Sequence, residues 1–137
     1  MRKLIILVLI IGVMAAGCGR PSEEKAMAEV ARQYVEAIAS NTLEVAWPLT
    51  AGRQSEVLLQ DIPHLLMRPG ERKIEDLYVY VDYLKGNKGA AIASYVQTES
   101  IPDVGTSRAR FKMVFEMVKL DKAWKIVEVH LLERKGE

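Results

Sequence analysis

Arg108 to Leu120 reads RARFKMVFEMVKL, and its alternation decides the fold class. Ala109, Phe111, Met113, Phe115 and Met117 fall on one side, and Arg108, Arg110, Lys112 and Glu116 on the other. Successive side chains of a strand point to opposite faces, so this period predicts a strand with one face on a core and the other in water. Working outward, Asp121 to Ala123 is a tight connection into a further strand, Trp124 to Glu133. Upstream, Pro102 and Gly105 mark a loop and Ala90 to Thr98 an earlier strand. Lys85-Gly86-Asn87-Lys88-Gly89 reads as a turn, and Ile74 to Leu84, rich in Tyr and Val, as the first strand. Strands joined this closely form an antiparallel meander.

Before Gly70 the period is helical. Met27, Val30, Ala31, Tyr34, Val35, Ile38 and Ala39 give Glu23 to Ser40 one apolar stripe, with Ser22 as its expected N-cap and Glu23 and Glu24 at the positive helix end. Leu43 to Trp47 is a short helical piece stopped by Pro48, and Gly52 is a break. Ser55 is placed to cap a third piece, Glu56 to Gln60, followed by an irregular stretch with Pro63, His64 and Pro69. Helices first and strands afterwards predict an α+β domain, with N-terminal helices covering one face of a four-stranded antiparallel sheet.

The chain has 137 residues, one cysteine, two histidines and a formal charge of +1, which leaves room for a single domain. One cysteine and two histidines make neither an internal disulfide nor a structural zinc site of the usual nitrogen and sulfur ligands, so no metal is expected. The near-neutral charge argues against nucleic acid as a partner. No Gly-rich phosphate loop, G-x-S-x-G elbow or H-E-x-x-H motif is present, and no cofactor is expected.

Residues 1–17 differ in kind from the rest. Arg2 and Lys3 give a positive start, and Leu4 to Met14 is apolar, too short to cross a bilayer, which takes roughly 20 helical residues. Ala15-Ala16-Gly17-Cys18 resembles a bacterial lipobox, although Ala15 stands where such motifs usually prefer Leu. The resemblance implies a lipoprotein signal peptide over 1–17, cleavage between Gly17 and Cys18, and acylation of Cys18, which would hold the protein to membrane lipid on the extracytoplasmic side. Gly19 follows where an acidic residue would signal inner-membrane retention, so in a Gram-negative cell the outer membrane is favoured. Loss of Arg2 and Lys3 leaves 17 basic residues (19 minus 2) against 18 acidic ones, a mature charge of −1. Residues 18–22 then serve as lipidated cysteine and tether, reaching roughly 14 Å when extended, and 23–137 as the domain.

Within the domain, Ala31, Tyr34, Val35 and Ile38 in the first helix, Ala46-Trp47 in the second step and the closing Trp124-Lys125-Ile126-Val127 together look like the nuclear-transport-factor-two-like superfamily, the cystatin-like α+β cone. The resemblance covers about residues 25 to 133. It implies a curved sheet wrapped on a long helix, with a concave side that relatives use for catalysis, for ligands, or only as a core or dimer surface. Tyr34, Phe111, Met113 and Phe115 would line that pocket or fill it as core. A small apolar ligand fits the first case.

The candidate chemistry lies on the last strand, where Glu128 and His130, two residues apart, point the same way. If the loop before it is Asp121-Lys122, Phe115 pairs with Glu128 and Met113 with His130, aiming an acid and an imidazole at the core face. Such a pair would suit a small cofactor-independent hydrolase or isomerase. If the loop is 121–123, Phe115 meets Val129, Met113 meets Leu131 and Met117 meets Val127, and the pair faces outward. That register sets Glu116 opposite Glu128, but burying unpaired charge costs more than a like-charge surface pair, so the outward register is expected. Val114, Val118, Trp124, Ile126 and Leu132 would then share the outer face with His130, an apolar stripe suited to a second subunit or an envelope partner. Relatives that are enzymes usually draw pocket acids or histidines from the first helix and the strands, and the apolar stripe of the first helix here has none, which weakens the enzyme reading, so a binding or interaction module is the expected function. Arg108, Arg110 and Lys112 form a basic row suited to anionic head groups or to solubility, His64 reads as a surface residue, and Asp76, Tyr78, Tyr80 and Asp82 read as sharing one face of the first strand.

Overall fold

The computed structural model describes residues 19–137, so the expected signal peptide over 1–17 and Cys18, the residue expected to be acylated, lie outside the described residues. Helix α1 (Gly19–Ala39) is followed by the short α2 (Leu43–Ala46), a 3-10 turn (Trp47–Leu49) and α3 (Gly52–Met67). Strands β1 (Glu71–Lys85), β2 (Lys88–Ile101), β3 (Gly105–Leu120) and β4 (Ala123–Gly136) complete the order. The strands pair in sequence order, all antiparallel, into one curved, unclosed sheet with the helices packed against it.

Two helices are longer than the pattern suggests. The first is already helical at Gly19, so Ser22 lies inside it and is no N-cap, and the expected tether residues 19–22 are helical. The third piece runs through Pro63 to Met67 instead of breaking into irregular chain. Pro63 removes one backbone bond near the C-terminal end, and the apolar spacing of buried Leu58 with half-buried Ile62 and Leu65, all packed on the core, holds that last turn. Ser55 sits within this helix, its Oγ 2.8 Å from Thr50 Oγ1.

The core lies between α1 and the inner sheet face. Met27, Ala31, Tyr34 and Val35 of α1 meet Ala91, Ala93 and Tyr95 of β2, Phe115 and Met117 of β3, and Trp124 and Ile126 of β4. Gly89 lies directly beneath Met27, whose Cε would stand 2.5 Å from any added Cβ, so the helix is seated on a bare stretch of β2. Two polar ties fix the ends of α1. The Glu23 carboxylate accepts from the Lys119 ammonium and, at 2.6 Å, from Trp124 Nε1. At the other end Arg68 Nη2 donates to the Ile38 carbonyl at 2.6 Å and to Asn41 Oδ1 at 2.8 Å.

The β3–β4 hairpin resolves its register by a route neither simple reading describes. Its turn is the two residues Asp121-Lys122, both at positive φ (49° and 69°), and Leu120 pairs with Ala123, Lys119 with Trp124 and Met117 with Ile126. Trp124 and Ile126 are therefore core residues, 4% and 0% exposed, and not part of an outer stripe. Between Met117 and Glu116 the register shifts, leaving Val127 as the extra residue. Beyond it Glu116 faces Glu128, Phe115 faces Val129, Val114 faces His130 and Met113 faces Leu131. Without the bulge, Glu128 and His130 would point into the core; with a three-residue turn, Trp124 and Ile126 would point into water. The bulge avoids both costs.

Candidate functional site

All three helices lie on one side, and the opposite sheet face carries what chemistry the described residues display. From β1 to β4 its rows run Tyr83, Ala90, Glu116, Glu128; then Tyr80, Ile92, Val114, His130; then Tyr78, Ser94, Lys112. Tyr78 and Tyr83 are 63% and 47% exposed, and the Tyr78 and Tyr80 rings lie 5.6 Å apart. Asp76 and Asp82 do not extend this row: both fall at register shifts of β1, and Asp76 has a positive φ of 53°. Bulges in β1 as well as β4 bend the sheet, and among the described residues the helices pack on its opposite face.

Val114 and Val118 are half-buried on this face, and Leu132 lies exposed at a second register shift of β4, between Leu131 and Glu133. Arg108 and Arg110 reach toward acids rather than standing free: Arg108 lies 3.5 Å from Glu75 and 3.0 Å from Glu137, and Arg110 3.9 Å from Glu137. His64 is exposed in the last turn of α3. Phe115 and Tyr34 are buried in edge-to-face contact at 5.8 Å, while Phe111 stacks on Tyr95 at 5.6 Å and, with Met113, is half-buried at the margin of the core.

Glu128 and His130 form the edge of the outer face next to α3. His130 Nε2 stands 3.3 Å from Glu128 Oε2 and 3.4 Å from Glu116 Oε2. The other Glu128 oxygen, Oε1, accepts from Arg53 Nη1 at 3.4 Å. Hydrogen bonding to Glu116, then to His130, together with the His130 and Arg53 charges, holds the Glu128 carboxyl below its ordinary range and outweighs the opposing effect of its partial desolvation. Arg53, Gln54 and Val57 of α3 close one side of a cleft of about 220 Å³ whose other wall is Glu128, Val129 and His130. The acid and imidazole are thus brought together, but on the solvent side and not beneath α1, where a closed apolar setting would raise a carboxylate's pKa for acid–base work.

The one hydroxyl on the core stripe of α1 is engaged elsewhere. Tyr34 Oη accepts from Gln54 Nε2 at 3.0 Å, and burial pushes its pKa up; burial likewise pushes Tyr95 up to about 12. Both hydroxyls stay protonated at neutral pH and serve packing. Sequence reading missed Arg53 and Gln54, which reach the site from α3 with no spacing pattern linking them to β4. It noticed Glu116 only as an electrostatic cost. Among the described residues, Glu116, Glu128 and His130 are the group of carboxylates and imidazole whose ligand atoms converge, all within 4.8 Å of one another.

Fold and site together define an α+β domain with a helix-covered core face and an open outer sheet face. No protein-family model matches the chain, and no curated protein does. Among solved structures it is similar to the intermembrane space region of the chloroplast protein ARC6, at 16% identity and a TM-score of 0.50, over 77% of this chain and 95% of that one. At that identity the likeness concerns the fold.

Proposed function

We propose that this protein is a lipid-anchored lipoprotein of the bacterial cell envelope, in which a domain of nuclear-transport-factor-two-like character docks an envelope protein through its outer sheet face. The observation that carries the reading is the exposed tyrosine pair: Tyr78 and Tyr83 stand 63% and 47% exposed on the outer face, while among the described residues the helices pack on the other side. Exposed tyrosines add large contact area at small entropic cost and are enriched at the centres of protein interfaces. The side between α1 and the sheet is occupied by Met27, Tyr34, Phe115, Met117 and Ile126, which favours a core there over a ligand cavity. The Ala15-Ala16-Gly17-Cys18 motif supports the anchor, and acylation at Cys18 would bring the domain close to the bilayer.

A photo-crosslinking amino acid placed at Tyr78 or Tyr83 of the full chain, expressed in a bacterium that processes lipoproteins, tests the docking. The expected result is a discrete protein adduct at these positions and none at Glu56, exposed on α3. Equal labelling at Glu56, or no adduct at the outer face, overturns it. The anchor has a separate test: Cys18→Ser should release the protein from the membrane fraction, and unchanged membrane association would refute acylation.

A further inference from the structure

We propose that Glu116, Glu128 and His130 form a zinc-binding site on the outer face, independent of the docking reading. The separations carry the argument. His130 Nε2 lies 3.3 Å from Glu128 Oε2 and 3.4 Å from Glu116 Oε2. Those two gaps also fit ligation of one ion by the imidazole and both carboxylates. Ligands about 2.0–2.1 Å from a tetrahedral zinc lie roughly 3.3–3.4 Å from each other, the edge of the tetrahedron.

The donor set has the same meaning. One imidazole nitrogen and two carboxylate oxygens are the ligand types zinc accepts, and three protein ligands leave a fourth position for water. Magnesium and calcium prefer oxygen donors throughout, so His130 disfavours them. The three residues come from two strands held in register by the β3–β4 ladder, with Glu116 directly across from Glu128 and Val114 across from His130. Their spacing is therefore set by backbone hydrogen bonds and not by loop flexibility. Arg53 engages Oε1 of Glu128, leaving Oε2 turned toward the imidazole, the role an outer partner plays for a metal-binding carboxylate. The cleft bounded by Arg53, Gln54 and Val57 lies beside the set and provides room for the water at the fourth position. A zinc ion would also neutralise the facing pair Glu116 and Glu128, a like-charge arrangement that otherwise costs stability.

The test is titration of the full chain carrying Cys18→Ser, which removes a competing thiol, with zinc chloride in competition with a chromophoric chelator. One equivalent should bind saturably. Glu116→Gln, Glu128→Gln and His130→Gln should each weaken binding by about tenfold or more, and His64→Gln should leave it unchanged. The three ligand side chains are 33–52% exposed, so these changes should spare the fold, which circular dichroism checks. A second measurement needs no ligand variant: nitrogen-15 chemical shifts of the imidazoles should move at His130 and not at His64 when zinc is added. Absence of saturable binding, binding that survives His130→Gln, or a zinc shift confined to His64 overturns the site.

Discussion

Replacing Tyr34 with Phe removes a single oxygen from the interior and tests whether the α1–α3 contact is a polar tie or only packing. The Tyr34 ring sits edge-on to Phe115 at 5.8 Å, and Phe keeps that contact. The hydroxyl accepts from Gln54 Nε2 at 3.0 Å, and both side chains are buried, at 7% and 9% exposure. Tyr34→Phe therefore strands a buried amide donor, which costs about 1–3 kcal/mol, and Gln54→Leu, which strands the hydroxyl instead, costs a similar amount. Replacing both partners by apolar groups leaves nothing unsatisfied and is expected to return to within about 1 kcal/mol of the parent, because apolar replacement of a whole hydrogen-bonded pair can be nearly neutral. The assay is urea unfolding of the full chain at neutral pH for parent, both single variants and the double variant, with the m-value checked for constancy. For a domain of this size each kcal/mol also moves the melting temperature by about 2–8 °C, giving an independent readout. A Tyr34→Phe protein within about 0.5 kcal/mol of the parent refutes the argument. So does a double variant less stable than either single one.

Phe115 is among the most completely buried side chains, and Phe115→Ala should cost about 3–5 kcal/mol through lost burial and the cavity it leaves; an unchanged urea midpoint would contradict the core placement. Glu23 has a folded pKa below its ordinary 4.5, first because it accepts from Lys119 and then from Trp124, so its stabilisation is present above that value and fades as pH falls through the lower folded value. Glu23→Gln should accordingly melt below the parent at about pH 6, with the gap narrowing as pH falls below 4.5, and a gap that stays constant down to acid unfolding would exclude the carboxylate as its source.

The strands were legible because β3 alternates without interruption: Ala109, Phe115 and Met117 are buried, and Arg108, Arg110 and Glu116 are on the other face. The α+β order followed from the change of period near Gly70, and β1 and β2 met across the expected turn. The helix limits were less legible because local signals lost to tertiary packing. Ser22 has the chemistry of an N-cap, yet the chain was already helical. Pro63 has the chemistry of a breaker, yet Leu58, Ile62 and Leu65 put enough apolar surface on the core to carry the helix past it.

What periodicity could not see were the extra residues. A period of two assigns every position on a strand to a face from a single starting point, and one bulge reverses all assignments beyond it. On β4 the two ends of the strand demand opposite phases: Trp124 and Ile126 fit the core only if even-numbered positions point inward, and Glu128 and His130 fit solvent only if even-numbered positions point outward. A conflict of that kind within four or five residues is itself the signature of a bulge, and Val127 stands where it must fall. The same logic applies to β1, where Asp76 and Asp82 separate the tyrosines from the residues whose phase they would otherwise share. The grouping of Glu116, Glu128 and His130 is a product of that extra residue: it puts an acid from β3 and an acid and imidazole from β4 on one outer row without burying a charge.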